Sequence, residues 1–161
     1  MNHSVYLALG TNLGSREENL RIAVNGISPE VNVIYRSPIY ETPPWGYLEQ
    51  PYFLNQVISG KTQLTPLALL RHVKELETKM GRSAGIRYGP RLIDIDILFY
   101  NDQILKTNGL EIPHPRLHDR AFVLVPLLDI APDLLHPLLG KTISELIKQV
   151  DTSAIKLYQL G

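Results

Sequence analysis

In the stretch RLIDIDILFY, residues 91–100, branched aliphatics fill alternate positions from Ile93, and the residues between them are Asp94 and Asp96. On an extended chain residues two apart point to the same side, roughly 6.5 to 7 Å apart, so the carboxylates share one face and Ile93, Ile95 and Ile97 take the other. Like charges so close repel, and aspartate forms strands poorly, so the pair needs either solvent or cations around it. A solvated outer face is common in antiparallel sheets. The flanking Ile, Leu, Phe and Tyr are those of a central strand, which favours cations. Hard oxygen ligands suit Mg²⁺, and two carboxylates can hold two ions roughly 3.5 to 4 Å apart around phosphate oxygens. That chemistry is phosphoryl transfer.

Other groups bear on the same chemistry. On a helical wheel Glu77 falls between Val73 and Leu70, inside an apolar stripe and away from the polar face of Arg71, Lys74 and Glu75. It is either an inward carboxylate or a stripe-edge residue that reaches solvent. GRSAGIRYGPR carries Arg82, Arg87 and Arg91 among Gly81, Gly85 and Gly89. Such a loop suits a phosphate-clamping lid, with an exposed basic loop as the plainer alternative. IPHPRLHDRAF adds His114, Arg116, His118 and Arg120, a cluster that alone is weak evidence. Asn55 and Phe53 share a strand face and would suit a flat heteroaromatic with polar edges, unless Asn55 is simply satisfied by backbone. There is no GxxxxGK[ST], no GxGxxG after a strand and no HExxH. A nucleotide would have to be held another way.

The elements that must position these groups are legible from caps and periodicity. SVYLALG reads as a buried strand ending in the turn GTNLG, and a helix follows with Ser15 and Glu18 as a capping box and Leu20, Val24 and Ile27 in helical spacing. VNVIYR, with Val31, Val33 and Tyr35 on one face, and YFLNQVISGK read as strands. SPIYETPPWGYLEQP, between them, has too many prolines for a regular element. A helix capped by Thr65, with Pro66 at its first position, should run to Gly81. After the aspartate strand, Asn101-Asp102 should turn the chain into a returning strand at Gln103 to Leu105. AFVLVPLLDIAP predicts an apolar helix interrupted at Pro126, TISELIKQV opens with a second capping box, and AIKLY ends the chain as a strand. The order strand, helix, strand, strand, helix, strand predicts an α+β, ferredoxin-like fold: an antiparallel sheet with helices packed on it and appended C-terminal elements, an α/β/α sandwich.

At 161 residues the chain suits a single domain, and 44% hydrophobic with 20% charged residues argues against disorder. Sixteen basic residues balance sixteen acidic ones, so no long-range field draws in nucleic acid or an anionic membrane. The absence of cysteine excludes thiol catalysis and disulfides. The early apolar run from Val5 to Leu9 is too short for a membrane span or signal core, so a cytoplasmic location is expected.

The segments LALGTNLGSREENL, YETPPWG, QPYFLNQV, GRSAGIRYGPRLIDIDILFY and IPHPRLHDRAFVLVPLLDIAP, in this order, make the chain resemble the 6-hydroxymethyl-7,8-dihydropterin pyrophosphokinases of folate synthesis over nearly its whole length. The resemblance implies transfer of diphosphate from ATP to the pterin hydroxymethyl group, with release of AMP and use of two Mg²⁺ ions. It implies Asp94 and Asp96 as metal ligands, and Arg82, Arg91 and His114 as the catalytic phosphate contacts. Glu77, Arg120 and a lid residue, Tyr88, would belong to the ATP site. Thr42, Pro43, Trp45 and Asn55 match pterin-binding positions, with Phe53 and Phe122 placed to sandwich the ring.

Some positions depart from the family pattern. Phe53 stands where tyrosine is frequent and Tyr88 where tryptophan is common. The Gly81–Tyr88 loop is one residue short and lacks an arginine, and nucleotide contacts around Gly109 and Glu111 are left unassigned. Expected partners are ATP and the pterin, with neither nucleic acid nor membrane; association with a downstream folate enzyme is left open.

The expected chemistry is in-line attack of the pterin hydroxyl on the β-phosphorus, dominated by positioning, with no residue marked as general base. Two rivals carry different products or none. A palm-like nucleotidyltransferase would release pyrophosphate, and a non-catalytic ferredoxin-like ligand or RNA module would bind no Mg²⁺-dependent ATP.

Overall fold

The computed structural model describes residues 2–44, 51–83 and 92–160, with residues 82 and 83 described by backbone alone. In β1 (His3–Thr11) Val5, Leu7 and Leu9 are buried to one side, as a period-two pattern requires. The turn after β1 leads into α1 (Arg16–Gly26), but the expected capping box does not form. Glu18 pairs instead with Arg21 one turn on, where two guanidinium donors outcompete a single neutral backbone N–H. β2 (Val31–Arg36) follows, with a register shift between Val33 and Tyr35 that turns Tyr35 out to solvent and away from the face of Val31.

The proline-rich segment after β2 does contain a regular element, contrary to expectation. β3 (Tyr40–Thr42) pairs with β4 (Phe53–Thr62) on one side and with β8 (Lys156–Leu157) on the other, so tertiary pairing rather than local propensity makes it a strand. α2 (Pro66–Ser83) is capped by Thr65, whose side chain accepts the Ala68 N–H at 3.2 Å, and it runs two residues past Gly81. β5 (Asp94–Tyr100) is the aspartate strand.

Beyond β5 the chain does not return along it. β6 (Leu105–Thr107) pairs with β7 (Leu110–Ile112) in a separate two-stranded sheet, turned by Asn108-Gly109 with Gly109 at φ 91°. A 3₁₀ turn at Leu117–Asp119 precedes α3 (Ala121–Ile130), which continues through Pro126 rather than breaking there. α4 (Ile143–Leu146) carries the second capping box as expected, with Thr142 and Glu145 bonded reciprocally.

The main sheet is antiparallel in the order β5-β1-β4-β3-β8, with β2 also on β4. The path β1-α1-β2-β4-α2-β5 with β5-β1-β4-β2 side by side is the ferredoxin-like arrangement. One face packs Leu7, Leu9, Leu54 and Ile58 against Leu20 and Val24 of α1 and Leu69 and Val73 of α2. The other packs Val57, Leu98 and Phe99 against Val123, Leu124 and Leu127 of α3. Helices therefore cover both faces.

The aspartate strand is an edge of this sheet and not central to it. Its apolar residues are explained by α2 and the β6–β7 ribbon, both of which pack near it.

The tightest approach within the sheet is at Gly60, where a Cβ would lie 2.6 Å from the Asn32 carbonyl oxygen and 2.9 Å from Val31 Cγ1. Gly60→Ala should therefore lose about 1–3 kcal/mol of stability through forced separation of β2 and β4. Urea unfolding measures this, and an unchanged midpoint would contradict the packing described.

Candidate active site

The registers of β1 set the floor of the site. Gly10 pairs with Asp94 on one side and Asn55 on the other, and Ala8 pairs with Asp96 and Val57. Directly opposed residues share a face. Asp94 and Asn55 thus stand on the same face with only the glycine between them. A Cβ at Gly10 would lie 3.2 Å from Asn55 Oδ1, so the missing side chain keeps room above the sheet. Asn55 donates from Nδ2 to Thr42 Oγ1 at 2.9 Å, which fixes the amide and leaves Oδ1 on the Gly10 side as an acceptor.

A cavity of about 660 Å³ opens on this face. It gathers Thr42, Pro43, Phe53, Asn55, Glu77, Asp94, Asp96, His114, Arg120 and Phe122. Asp94 is exposed and Asp96 half-buried. Of the other residues expected at the site, Trp45, Tyr88 and Arg91 and the Arg82 side chain lie outside the described residues, as do Arg87, Gly85 and Gly89. Arg116 of the basic cluster lines the cavity as well, and Gly10, Gln56, Lys74 and Asp119 also line it without having been singled out for it. Lys74 carried a usable signal, since it lies one helical turn before Glu77.

Glu77 is an inward carboxylate, 6% exposed. Its Oε2 accepts the Ile95 N–H at 2.7 Å, and its Oε1 lies 3.2 Å from Lys74 Nζ. Ile95 sits between the two aspartates, and on an edge strand alternate N–H groups point away from the neighbouring strand. Glu77 satisfies that outward donor, which explains a carboxylate within an apolar stripe.

A register shift along β5 places His114. The β1 pairing runs from Phe99 to Ile97 and skips Leu98, whose carbonyl accepts the His114 N–H at 3.0 Å. The ring Nδ1 accepts the Arg116 N–H at 3.2 Å, so the neutral ring carries its proton on Nε2. Burial pushes the His114 pKa down, and Arg120 and Arg116 push the same way, while Asp96 and Glu111 partly oppose this. α3 supplies Phe122, with Arg120 just before the helix and its guanidinium 5.6 Å from the Phe122 ring centre. α3 is held to β3 by the hydrogen bond from the Tyr40 hydroxyl to Asp129; burial and this bond push the Tyr40 pKa up to about 12.

A second cavity of about 350 Å³ adjoins the first. Leu70, Ile97 and Leu110 give it apolar walls, and Gly109 and Glu111 of the β6–β7 ribbon lie at its side. Lys74, Asp96 and His114 line both cavities and form their junction.

The turn after β1 steadies the surroundings. Thr11 Oγ1 donates to the Leu92 carbonyl at 2.5 Å and Asn12 Nδ2 to the Pro51 carbonyl at 3.3 Å. Arg16 bridges Glu41 at 2.7 Å and the Tyr52 carbonyl at 2.8 Å.

The donor set fits a hard cation. Among the described residues no three His, Asp or Glu side chains gather as ligands. A cation here would take the two aspartates and complete its shell with water and ligand oxygens, as Mg²⁺ does.

Residues 6–132 match the family described as 7,8-dihydro-6-hydroxymethylpterin-pyrophosphokinase (HPPK). The chain is 40% identical over 142 residues to the 2-amino-4-hydroxy-6-hydroxymethyldihydropteridine pyrophosphokinase of Aquifex aeolicus, covering 88% of this chain and 89% of that protein. It is 45% identical over 141 residues to the folic acid synthesis protein FOL1 of Dictyostelium discoideum; the match covers 88% of this chain and 22% of that longer protein. Among solved structures, a Plasmodium falciparum HPPK-DHPS chain has the same fold, with a TM-score of 0.75 at 20% identity over 92% of this chain and 45% of its own.

The His114 environment makes a prediction about protons. A histidine whose folded pKa is depressed favours the neutral form, so its stabilising effect is complete above the unfolded value of about 6.5 and is lost as pH falls below it. Imidazole NMR should show His114 as the Nε2–H tautomer above neutrality, titrating at lower pH than an unperturbed histidine. A midpoint at or above the ordinary value would contradict the buried, Nδ1-accepting geometry.

Proposed function

The chain belongs to the 7,8-dihydro-6-hydroxymethylpterin-pyrophosphokinase family, whose reaction is pyrophosphoryl transfer to a hydroxymethyldihydropterin in folate biosynthesis, and from that premise we propose that ATP is the donor, AMP the second product and Mg²⁺ the required ion. The observation that carries this reading is the shared face of Asp94, Asp96 and Asn55, with a second, apolar-walled cavity meeting the first beside Asp96.

The pterin takes the larger cavity. Asn55 Oδ1, fixed by the bond to Thr42, accepts from the N–H edge of the ring, while Phe53 and Phe122 offer aromatic faces. Pro43 lines the same wall, and Trp45 is a further pterin contact in this reading. The adenosine takes the smaller cavity against Leu70, Ile97 and Leu110, and its phosphates pass the junction. There His114 donates from Nε2 and Arg120 offers a cation, with Arg82, Arg91 and Tyr88 as further ATP contacts. Glu77 acts on this site through its hold on β5.

In the reaction the hydroxymethyl oxygen gives up its proton to solvent and bonds to the β-phosphorus, the bond from that phosphorus to the α–β bridging oxygen breaks, and AMP leaves with that oxygen. Mg²⁺ held by Asp94 and Asp96 would neutralise charge on the phosphate oxygens. The chain's own contribution is to orient both substrates and to present donors where negative charge builds.

A cytoplasmic setting and association with a downstream folate enzyme go with this reading. Among the described residues no helix is long and apolar enough to cross a membrane.

The test follows AMP formation from ATP, Mg²⁺ and 6-hydroxymethyl-7,8-dihydropterin. Asp94→Ala and Asp96→Ala should each lower turnover by about 100-fold or more, the scale expected when electrostatic stabilisation of developing charge is removed. Near wild-type turnover in either variant would sink the metal-ligand assignment. Asn55→Ala should raise KM for the pterin about tenfold, the equivalent of one lost hydrogen bond, with KM for ATP unchanged. An equal rise in both constants would remove Asn55 from the pterin edge.

A further inference from the structure

We infer that Arg16 is a positioning residue for the pterin, holding together the end of the β3–β4 ladder on which Thr42, Phe53 and Asn55 stand. The inference rests on the placing of the pterin against Asn55 given above. Thr42 opposite Phe53 is the last pair of that ladder, with Glu41 opposite Leu54 behind it. The end of a ladder opens more easily than its middle. Arg16, the first residue of α1, reaches this end from outside the sheet. Its Nη1 donates to Glu41 Oε2 at 2.7 Å and to the Tyr52 carbonyl at 2.8 Å. One nitrogen thus ties the residue before Thr42 to the residue before Phe53, across the two strands.

The guanidinium is itself braced by the C-terminal strand. The Tyr158 ring centre lies 5.6 Å from it, close enough for a cation–π contact. That ring is fixed at two points, because the Tyr158 N–H donates to the Ile39 carbonyl at 2.9 Å and its hydroxyl to Glu17 Oε1 at 2.7 Å. Residues from α1, β3, the start of β4 and the C-terminal strand therefore converge on one side chain.

Arg16 acts on the pterin through the bond from Asn55 Nδ2 to Thr42 Oγ1. Asn55 stays in place without Arg16, since it is paired with Gly10 on one side and Tyr40 on the other. Thr42 does not have that security. If the ladder end loosens, the hydroxyl that orients the Asn55 amide is no longer fixed, and Oδ1 loses its set direction. The ATP side of the site is carried by β5 and the segment at His114, away from this end. An ion pair that only stabilised the fold would lower the melting temperature and leave both KM values as they are.

The experiment is steady-state kinetics on Arg16→Met, Tyr158→Ala, Tyr158→Phe and Asn55→Ala, and on Arg16→Met combined with Asn55→Ala, with thermal melts alongside. Arg16→Met should raise KM for the pterin about three- to tenfold, with kcat and KM for ATP within about twofold of wild type. Tyr158→Ala, which leaves the ion pair in place, should raise the same constant about two- to threefold, and Tyr158→Phe, which keeps the ring face, should stay near wild type. In the Asn55→Ala background Arg16→Met should add less than about twofold, because the two changes act through one bond. An unchanged pterin KM in Arg16→Met overturns the proposal. So does an equal rise in KM for ATP, or an undiminished effect in the Asn55→Ala background. If Asn55→Ala alone leaves the pterin KM unchanged, the placing of the pterin itself fails, and the role of Arg16 with it.

Discussion

The site depends on one hydrogen bond at the edge of the sheet, from the Ile95 N–H to the Glu77 carboxylate. An edge strand has a row of backbone donors and acceptors with no neighbouring strand to meet them. Here the donor between the two aspartates is met by a buried glutamate from α2, so the helix and the strand are locked together where both carboxylates are aimed. The covered edge can then carry two like charges without solvating its whole length. The same bond brings α2, and Lys74 with it, to the junction of the two cavities.

From that edge the remaining geometry follows across the sheet. β1 supplies the small residues Ala8 and Gly10 opposite Asp96 and Asp94, so the floor between the carboxylates and Asn55 stays low. The skipped residue Leu98 frees a carbonyl that holds His114 beside β5, and α3 brings Arg120 and Phe122 over the same face. The site is therefore assembled from β1, β3, β4 and β5, whose relative positions are set by backbone pairing, and from α2 and α3, which pack on that sheet. Side chains borne this way sit on rigid elements, which is what a reaction governed by positioning requires.

Much of this was legible in the residues themselves. Period-two alternation gave the common face of Asp94 and Asp96, and the helical wheel put Glu77 in the apolar stripe of α2. The strand and helix order also led to the ferredoxin-like plan. What stayed hidden was tertiary. β5 looks central because its residues are apolar, and only the packing of α2 and the β6–β7 ribbon shows how an edge can be covered. Tyr40–Thr42 has too little local signal to be a strand without β4 and β8 beside it. Asn108-Gly109 is a strong hairpin signal that marks the turn of the ribbon, but Asn101-Asp102 competes with it upstream. Lys74 has one cue in the sequence, its place one helical turn before Glu77, but it sits on the polar face of α2 and only the meeting of the two cavities puts it at the site.

The central claim is that diphosphate moves as a unit across the junction at Asp96. Rapid-quench turnover with ATP labelled at the β-phosphorus, in the presence of Mg²⁺ and the hydroxymethyl pterin, tests it most directly. The account predicts label on the pterin product with one equivalent of AMP formed for each. Label in free pyrophosphate with an adenylylated product, or in ADP, would contradict it.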